Sequence, residues 1–125
     1  MAKRSAIVIG LSHLRVTLSE SFYVGPGRAD LLELIAETGS ISEAAKRMGM
    51  SYKRAWSLVQ ALNDGWGMPL VETARGGAAQ GGAVLSEAGH EVLAHYRHMQ
   101  ERTREAIAPD VVALTKLRDD TSRRK

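Results

Sequence analysis

Residues 40–66 carry apolar side chains at the period of two consecutive α-helices. The first helix is predicted from four apolar positions at helical spacing: Ile41, Ala44, Ala45 and Met48. Ser40 followed by Glu43 is typical of a capping box that begins a helix, and Gly49 can end this helix with a positive φ. Ser51 can then cap a second helix, so the residues between the two helices are predicted to form a tight corner.

The second helix is predicted to have one apolar face and one polar face. At about 100° per residue, a narrow sector holds Ala55, Val59, Leu62 and Trp66. The opposite side holds Lys53, Ser57 and Gln60. We therefore expect the first face to pack and the second to be presented.

Three more elements are predicted around this corner. Residues 12–18 alternate like a half-buried strand, whose apolar positions are Leu14, Val16 and Leu18. A helix over residues 28–38 would end at Gly39 and supply a third core helix, buried through Leu31, Leu34 and Ile35. Residues 70–74 and 83–85 are short apolar segments on either side of the sequence RGGAAQGG, which predicts a hairpin with a glycine-rich tip.

The last predicted helix begins after the cap Ser86 and extends towards Pro109. A spacing of four and three, typical of the seam between two packed helices, relates Leu85, Gly89, Val92, Tyr96, Met99, Thr103 and Ala106. The seam predicts a homodimer; the alternative is an amphipathic helix that folds back on its own domain. Beyond Pro109 we expect a short helix and then a charged tail.

Composition and charge narrow the class of protein. The 125 residues fit one domain with tails, and the absence of cysteine excludes disulfides and thiolate metal sites. No apolar run is long enough for a signal peptide or a membrane span, so we expect a cytoplasmic protein. The net charge is +3, and between Ala44 and Asn63 there are four cations and no acid, which favours a polyanionic partner.

A short helix of small residues, a glycine corner and a longer helix with a basic N-terminal end are typical of a DNA-reading helix-turn-helix. The fold class predicted is mainly α with a small β-hairpin: a winged helix-turn-helix, made of a three-helix core plus wing, followed by a long dimerisation helix. The domain boundaries expected are an arm at 1–11, the DNA-binding domain at 12–85, the dimerisation helix at 86–108 and a charged tail at 109–125. The alternative for the corner is an ordinary pair of helices whose charges only keep the protein in solution. The alternative for the wing is a hairpin tip that is merely mobile.

Other candidate chemistry is sparse. His95 and His98 lie three residues apart with Glu91 one turn earlier, a spacing that a metal can use, but solvated helix residues are the simpler interpretation. No catalytic motif is present, so we expect neither an enzyme nor a metal site. Trp56 lies one turn after Tyr52 on the flank of the second helix, where each ring can stack on a partner or close the edge of the core. For Trp56 we expect packing against the core.

The sequence TGSISEAAKRMGMSYKRAWSLVQALND, followed by MPLVETARGGAAQGGAVLSEAGHEVLAHY, resembles the N-terminal DNA-binding domain of the molybdate-responsive ModE regulators. It is similar, more distantly, to the LysR-type regulators. The resemblance covers about residues 28–100 and implies a winged helix-turn-helix that dimerises through the helix after the wing and binds a palindromic operator. It also implies a recognition-helix face at Ser51, Tyr52, Lys53, Arg54 and Ser57, and a wing at Arg75 and the glycines after it. Full-length ModE regulators continue into molybdate-binding domains, and we expect none in a chain that ends at Lys125, so no cofactor is expected.

The sequence therefore predicts a regulator that binds double-stranded DNA as a homodimer, with an unknown effector. The predicted DNA-contact residues are Ser40, Ser42, Lys46, Arg47, Ser51, Tyr52, Lys53, Arg54, Ser57, Gln60, Arg75, Gly76 and Gly77. Two alternatives remain: a small molybdate- or tungstate-binding protein that uses the glycine-rich loop, and a protein-interaction adaptor that uses the corner helices.

Overall fold

The computed structural model describes residues 8–73 and 82–123 of the chain. In chain order its elements are β1 (Val16–Ser19), β2 (Phe22–Val24), α1 (Pro26–Thr38), α2 (Ile41–Met48), α3 (Tyr52–Trp66), β3 (Val71–Thr73), β4 (Ala83–Leu85) and α4 (Glu87–Arg123). The predicted arrangement of a three-helix core, a hairpin and a long final helix is confirmed. None of the helices in the described ranges is both long and apolar enough to cross a membrane.

The helices α1, α2 and α3 enclose one apolar core. Leu31, Leu32 and Ile35 of α1 are fully buried in it, whereas Leu34 is half-buried at its edge. The helix begins at Pro26, two residues before the predicted start, because proline suits the first turn of a helix and lacks only an N–H that would stay unpaired there. It ends at Gly39 with φ 71°, as predicted.

The strand predicted near the N-terminus is one arm of a short hairpin. Strand β1 pairs with β2, a strand that was not predicted, and the register shifts between Thr17 and Ser19. Leu18 lies at this irregularity and is 63% exposed, so its predicted burial is wrong. The period-2 pattern assumes regular pairing, and a shift in register changes the face on which a side chain lies.

The predicted second hairpin is confirmed by the antiparallel pairing of β3 with β4. Its base is held by Asn63 of α3, whose side-chain oxygen accepts hydrogen bonds from the backbone N–H groups of Leu70 (2.8 Å) and Val71 (3.1 Å). The same side chain donates to the carbonyl of Val71 (3.1 Å). The tip, residues 74–81, lies outside the described residues, and so do the predictions for Arg75, Gly76 and Gly77.

Helix α4 is longer than predicted. It begins after the cap Ser86, whose Oγ accepts from the N–H of Gly89 (3.0 Å), and it continues through Pro109 to Arg123. The prediction that this helix ends near Pro109 is therefore wrong. Proline removes one helical hydrogen bond, the one that would join the N–H of residue 109 to the carbonyl of residue 105. Both residues are exposed, so the unpaired carbonyl faces solvent rather than an apolar core.

The first half of α4 packs against its own domain. Tyr96 is fully buried and donates a hydrogen bond of 2.6 Å to the carbonyl of Leu14. Gly89 is in tight contact with the backbone at Leu70, and Leu85 is 6% exposed in the same core. Leu85, Gly89 and Tyr96 therefore pack in their own domain, as the alternative of a helix that folds back predicts, and their part in a dimer seam stays a prediction.

An ion-pair cluster also attaches α4 to α1. The guanidinium of Arg97 donates to Asp30 (2.8 Å) and to Glu33 (2.7 Å). Burial lowers the pKa of Arg97, but the hydrogen bonds to the two carboxylates outweigh this effect and raise the pKa above its ordinary value. Arg97 thus stays charged and helps to set the angle at which α4 leaves the core.

Candidate nucleic-acid interface

The corner between α2 and α3 is defined by local hydrogen bonds. The Oγ of Ser51 accepts from the N–H of Arg54 (3.1 Å), and Gly49 takes the left-handed conformation at φ 71°. The Oγ of Ser40 accepts from the N–H of Glu43 (2.9 Å), which is one half of the predicted capping box. The other half is absent, since the N–H of Ser40 donates instead to Thr38 (3.2 Å).

Helix α3 buries one face and presents the other, as its pattern predicts, except that Trp66, the last residue of the predicted packed row, is 37% exposed. Ala55, Val59 and Leu62 have at most 1% of their surface exposed. Lys53 and Ser57, on the opposite side, are exposed. Because the buried row fixes the rotation of the helix, the presented row has a defined direction relative to the rest of the domain.

Cations surround the presented face. Lys46, Lys53 and Arg54 are exposed, and none of them forms an ion pair with another described residue. Arg47 pairs with Glu43 at 3.5 Å, a solvent-exposed contact of a kind that contributes about 0–1 kcal/mol. These side chains therefore remain available to an anionic partner.

The other predicted contact residues differ in their exposure. Ser42 and Ser51 are exposed, whereas Ser40 and Gln60 are half-buried. The oxygen atoms of Ser40 and Ser51 accept backbone N–H groups, so each hydroxyl keeps its proton for a further acceptor such as a phosphate. Ten of the predicted contact residues thus belong to helices α2 and α3 and their N-caps, and the other three lie outside the described residues.

Two aromatic side chains lie beside the cations. Tyr52 and Trp56 stack on each other with ring centroids 6.4 Å apart and planes 16° apart. They are 54% and 38% exposed, so the prediction that Trp56 packs against the core is wrong. Smaller residues, one place along the helix from Trp56, already fill the core on this side of α3. Trp56 is therefore left at the surface, although its size alone suggests burial.

An apolar groove of about 380 Å³ lies on another side of the domain. It runs between the β1–β2 hairpin, the end of α3 and α4, and its exposed apolar side chains are Leu18, Trp66 and Met99. His95, His98 and Glu91 line it as well. No group of three or more His, Asp or Glu side chains in the described ranges is arranged to hold a metal ion.

Comparisons with known proteins support the predicted fold and family. Residues 28–90 match the model of the bacterial regulatory helix-turn-helix proteins of the lysR family. The chain is 51% identical over 73 residues to the molybdenum-pterin-binding protein MopB of Rhodobacter capsulatus, covering 58% of this chain and 27% of that protein. It is 36% identical over 100 residues to the DNA-binding transcriptional dual regulator ModE of Escherichia coli, covering 78% of this chain and 38% of that protein.

The fold also matches a solved DNA complex. The chain resembles the DNA-binding domain of CbnR in the crystal structure of its complex with DNA, with a TM-score of 0.57 and 27% identity, covering 70% of this chain and 95% of that one. The chain spans between a quarter and two fifths of the length of the MopB and ModE proteins above. The predicted resemblance to ModE and LysR-type regulators is confirmed. With its helix-turn-helix and wing base inside the matched residues, the chain belongs to the lysR family of bacterial regulatory helix-turn-helix proteins.

Proposed function

We propose that this protein is a transcriptional regulator that binds double-stranded DNA in a sequence-specific manner as a homodimer. The observation that carries the proposal is the presented face of α3, where exposed cations without ion pairs to described residues surround a helix whose opposite face is locked into the core. The likeness to a domain solved in complex with DNA, and to a regulator named for DNA binding, supports it.

In this proposal the N-terminal turns of α3 enter the major groove, which is wide enough for one helix. Lys53 and Arg54 then face base edges, where a guanidinium can donate two hydrogen bonds to the O6 and N7 acceptors of guanine. Lys46 and Arg47 of α2 hold phosphates, and Arg75, which lies outside the described residues, is given the same role from its place in the sequence. Family membership supports a binding protein rather than an enzyme, and we place it in the cytoplasm, where bacterial DNA lies.

The dimer contact that we propose uses the part of the predicted seam that lines the apolar groove. Val92 and Met99 belonged to that seam and line the apolar groove, whereas Thr103 is half-buried one turn beyond Met99. Leu18 and Trp66 add exposed apolar surface beside them. Exposed apolar patches of this kind mark interaction sites, so we place the second subunit against the groove.

Met99→Glu is expected to dissociate the dimer. A carboxylate in an apolar contact costs about 3–5 kcal/mol when it has no partner, which raises the dimer Kd at least about 100-fold. Sedimentation velocity over a concentration series measures the shift. Ala94→Glu, an equally acidic change at an exposed position on another side of α4, is the matched control and should remain dimeric. Equal behaviour of the two variants would refute the groove as the interface.

Selection of bound oligonucleotides from a random pool at physiological salt tests the function. We expect a palindrome whose half-sites lie about one helical turn of DNA, 34–36 Å, or a multiple of it apart. If about six to ten phosphates are neutralised, affinity should fall about 10³- to 10⁵-fold between about 50 and 200 mM salt.

Recovery of no preferred sequence, together with a flat salt dependence, would reject DNA recognition. Calorimetry with molybdate on the same sample tests the oxyanion alternative, which rests on the glycine-rich loop. Tight molybdate binding without DNA affinity would favour that alternative.

A further inference from the structure

The stacked pair of Tyr52 and Trp56 has no role in the core. Neither side chain belongs to the buried cluster or to the side chains packed against it, and both are exposed on the first turns of α3. The part of the two rings that stays in water forgoes the free energy that its burial would release. A partner that covers them would recover it.

The stacked pair lies near both elements that are proposed to contact DNA, helix α3 and the β3–β4 hairpin. Asn63 lies on the side of α3 that faces β3, because its side chain bonds the backbone of Leu70 and Val71. Trp56 precedes Asn63 by seven residues, about two helical turns, so it lies on the same side. Tyr52 and Trp56 therefore lie on the flank of α3 that faces the base of the hairpin, next to the presented row.

The charge around the pair indicates what covers it. Lys53 and Arg54 directly follow Tyr52 and are exposed, and no acid occurs between Ala44 and Asn63. A protein partner that buried the rings would have to bury or neutralise these cations too. Duplex DNA supplies phosphates for the cations, and in its major groove the C5-methyl group of thymine is the apolar feature of the base edges.

We propose that Tyr52 and Trp56 together contact the C5-methyl group of a thymine in each half-site, and so make the protein select thymine by its methyl group. The inference rests on the proposed function and adds a specificity-determining pair to it. Because the two rings already stack on each other, they present a joint edge and outer faces, which suit a methyl group projecting from an intact base stack better than an unstacked base.

Replacement of each thymine of the selected operator by deoxyuridine tests this proposal with the wild-type protein. The exchange removes the methyl group and leaves the hydrogen-bonding edges and the charge unchanged. Fluorescence anisotropy at constant salt should show one or two sensitive positions in each half-site. We expect an affinity loss of about fourfold for each methyl group, corresponding to about 0.8 kcal/mol, and about sixteenfold when both half-sites are changed.

Protein variants then assign the sensitivity to the pair. In Trp56→Ala, and more fully in the Tyr52→Ala and Trp56→Ala double variant, the thymine and deoxyuridine operators should bind equally well. Asp64→Ala, a change at an exposed position of α3 outside the predicted contacts, is the control and should keep the full penalty. Because both rings lie outside the core cluster, thermal unfolding of the aromatic variants should stay close to that of the wild type.

The outcomes separate this inference from the function on which it rests. Specific binding to a selected operator without any position sensitive to deoxyuridine overturns the thymine contact and leaves the regulator proposal standing. Sensitivity that persists in the double variant also overturns it, since another residue then reads the methyl group. Absence of specific DNA binding by the wild type rejects both proposals before any base is replaced.

Discussion

Arg54→Ala is expected to lower the affinity for the selected operator by about 30-fold to 10⁴-fold. A bidentate contact between arginine and guanine contributes about 1–3 kcal/mol of discrimination, and a dimer makes it twice. The loss should concentrate at one base position of each half-site, where all four bases become nearly equivalent. Anisotropy titrations on a panel of single-base operator variants measure both effects. The cap of α3 should survive, because Ser51 accepts from the backbone N–H of Arg54 and not from its side chain.

Lys46→Ala is the matched comparison, since it removes a neighbouring exposed cation from α2 rather than α3. A phosphate-binding lysine carries no sequence information, so this variant should weaken every operator by a similar factor. The salt slope should fall by about one unit for each phosphate that is no longer neutralised. If Lys46→Ala erased a base preference while Arg54→Ala weakened all sequences alike, the two roles would be exchanged. Unchanged affinity in both variants would mean that DNA binds another surface.

Gly89→Ala is expected to destabilise the fold strongly. A Cβ atom at this position would overlap the backbone oxygen of Leu70, so α4 and the segment before β3 have to move apart. Overpacking of this kind lowers the free energy of unfolding by about 1–3 kcal/mol and occasionally more. We expect the upper end of this range for Gly89→Ala, because the obstacle is backbone rather than a flexible side chain. Thermal unfolding by circular dichroism should show a Tm lower by several degrees for each kcal/mol of stability removed.

Gly27→Ala makes the same chemical change where space is open. A Cβ atom at Gly27, in the first turn of α1, meets no other atom within 4 Å, and its φ lies outside the left-handed region. Alanine also restricts the unfolded chain more than glycine does, so this variant should be neutral or stabilised by about 0.4–1 kcal/mol. Equal stability of the two variants would show that α4 does not approach the segment before β3 as closely as the structure has it.

The features that the sequence predicted correctly depend on neighbouring residues. Ser40, Ser51 and Gly49 form the caps and the corner because their side chains and backbone bond residues three or four places away. The packed row of α3 follows from helical period alone. Likewise, the short apolar segments around the glycine-rich tip were sufficient to predict the β3–β4 hairpin.

The sequence pattern left open what covers each face of α4. A spacing of four and three shows that Gly89, Tyr96 and Met99 lie on one face of a helix. It does not show whether that face packs against a partner subunit or against the helix's own domain. In the structure Tyr96 bonds Leu14, which is 82 residues earlier in the chain. No local pattern reports an interaction over that separation.

What the chain determines by itself is therefore the set of helices and turns and the basic, outward row of α3, because period, capping and charge act within a few residues. Only the tertiary structure decided that α4 turns Gly89 and Tyr96 inward, that an apolar groove remains open beside Met99, and that Trp56 stacks on Tyr52 in solvent. These outcomes depend on competition for a limited core, and space in a core is allocated among residues that are distant in sequence.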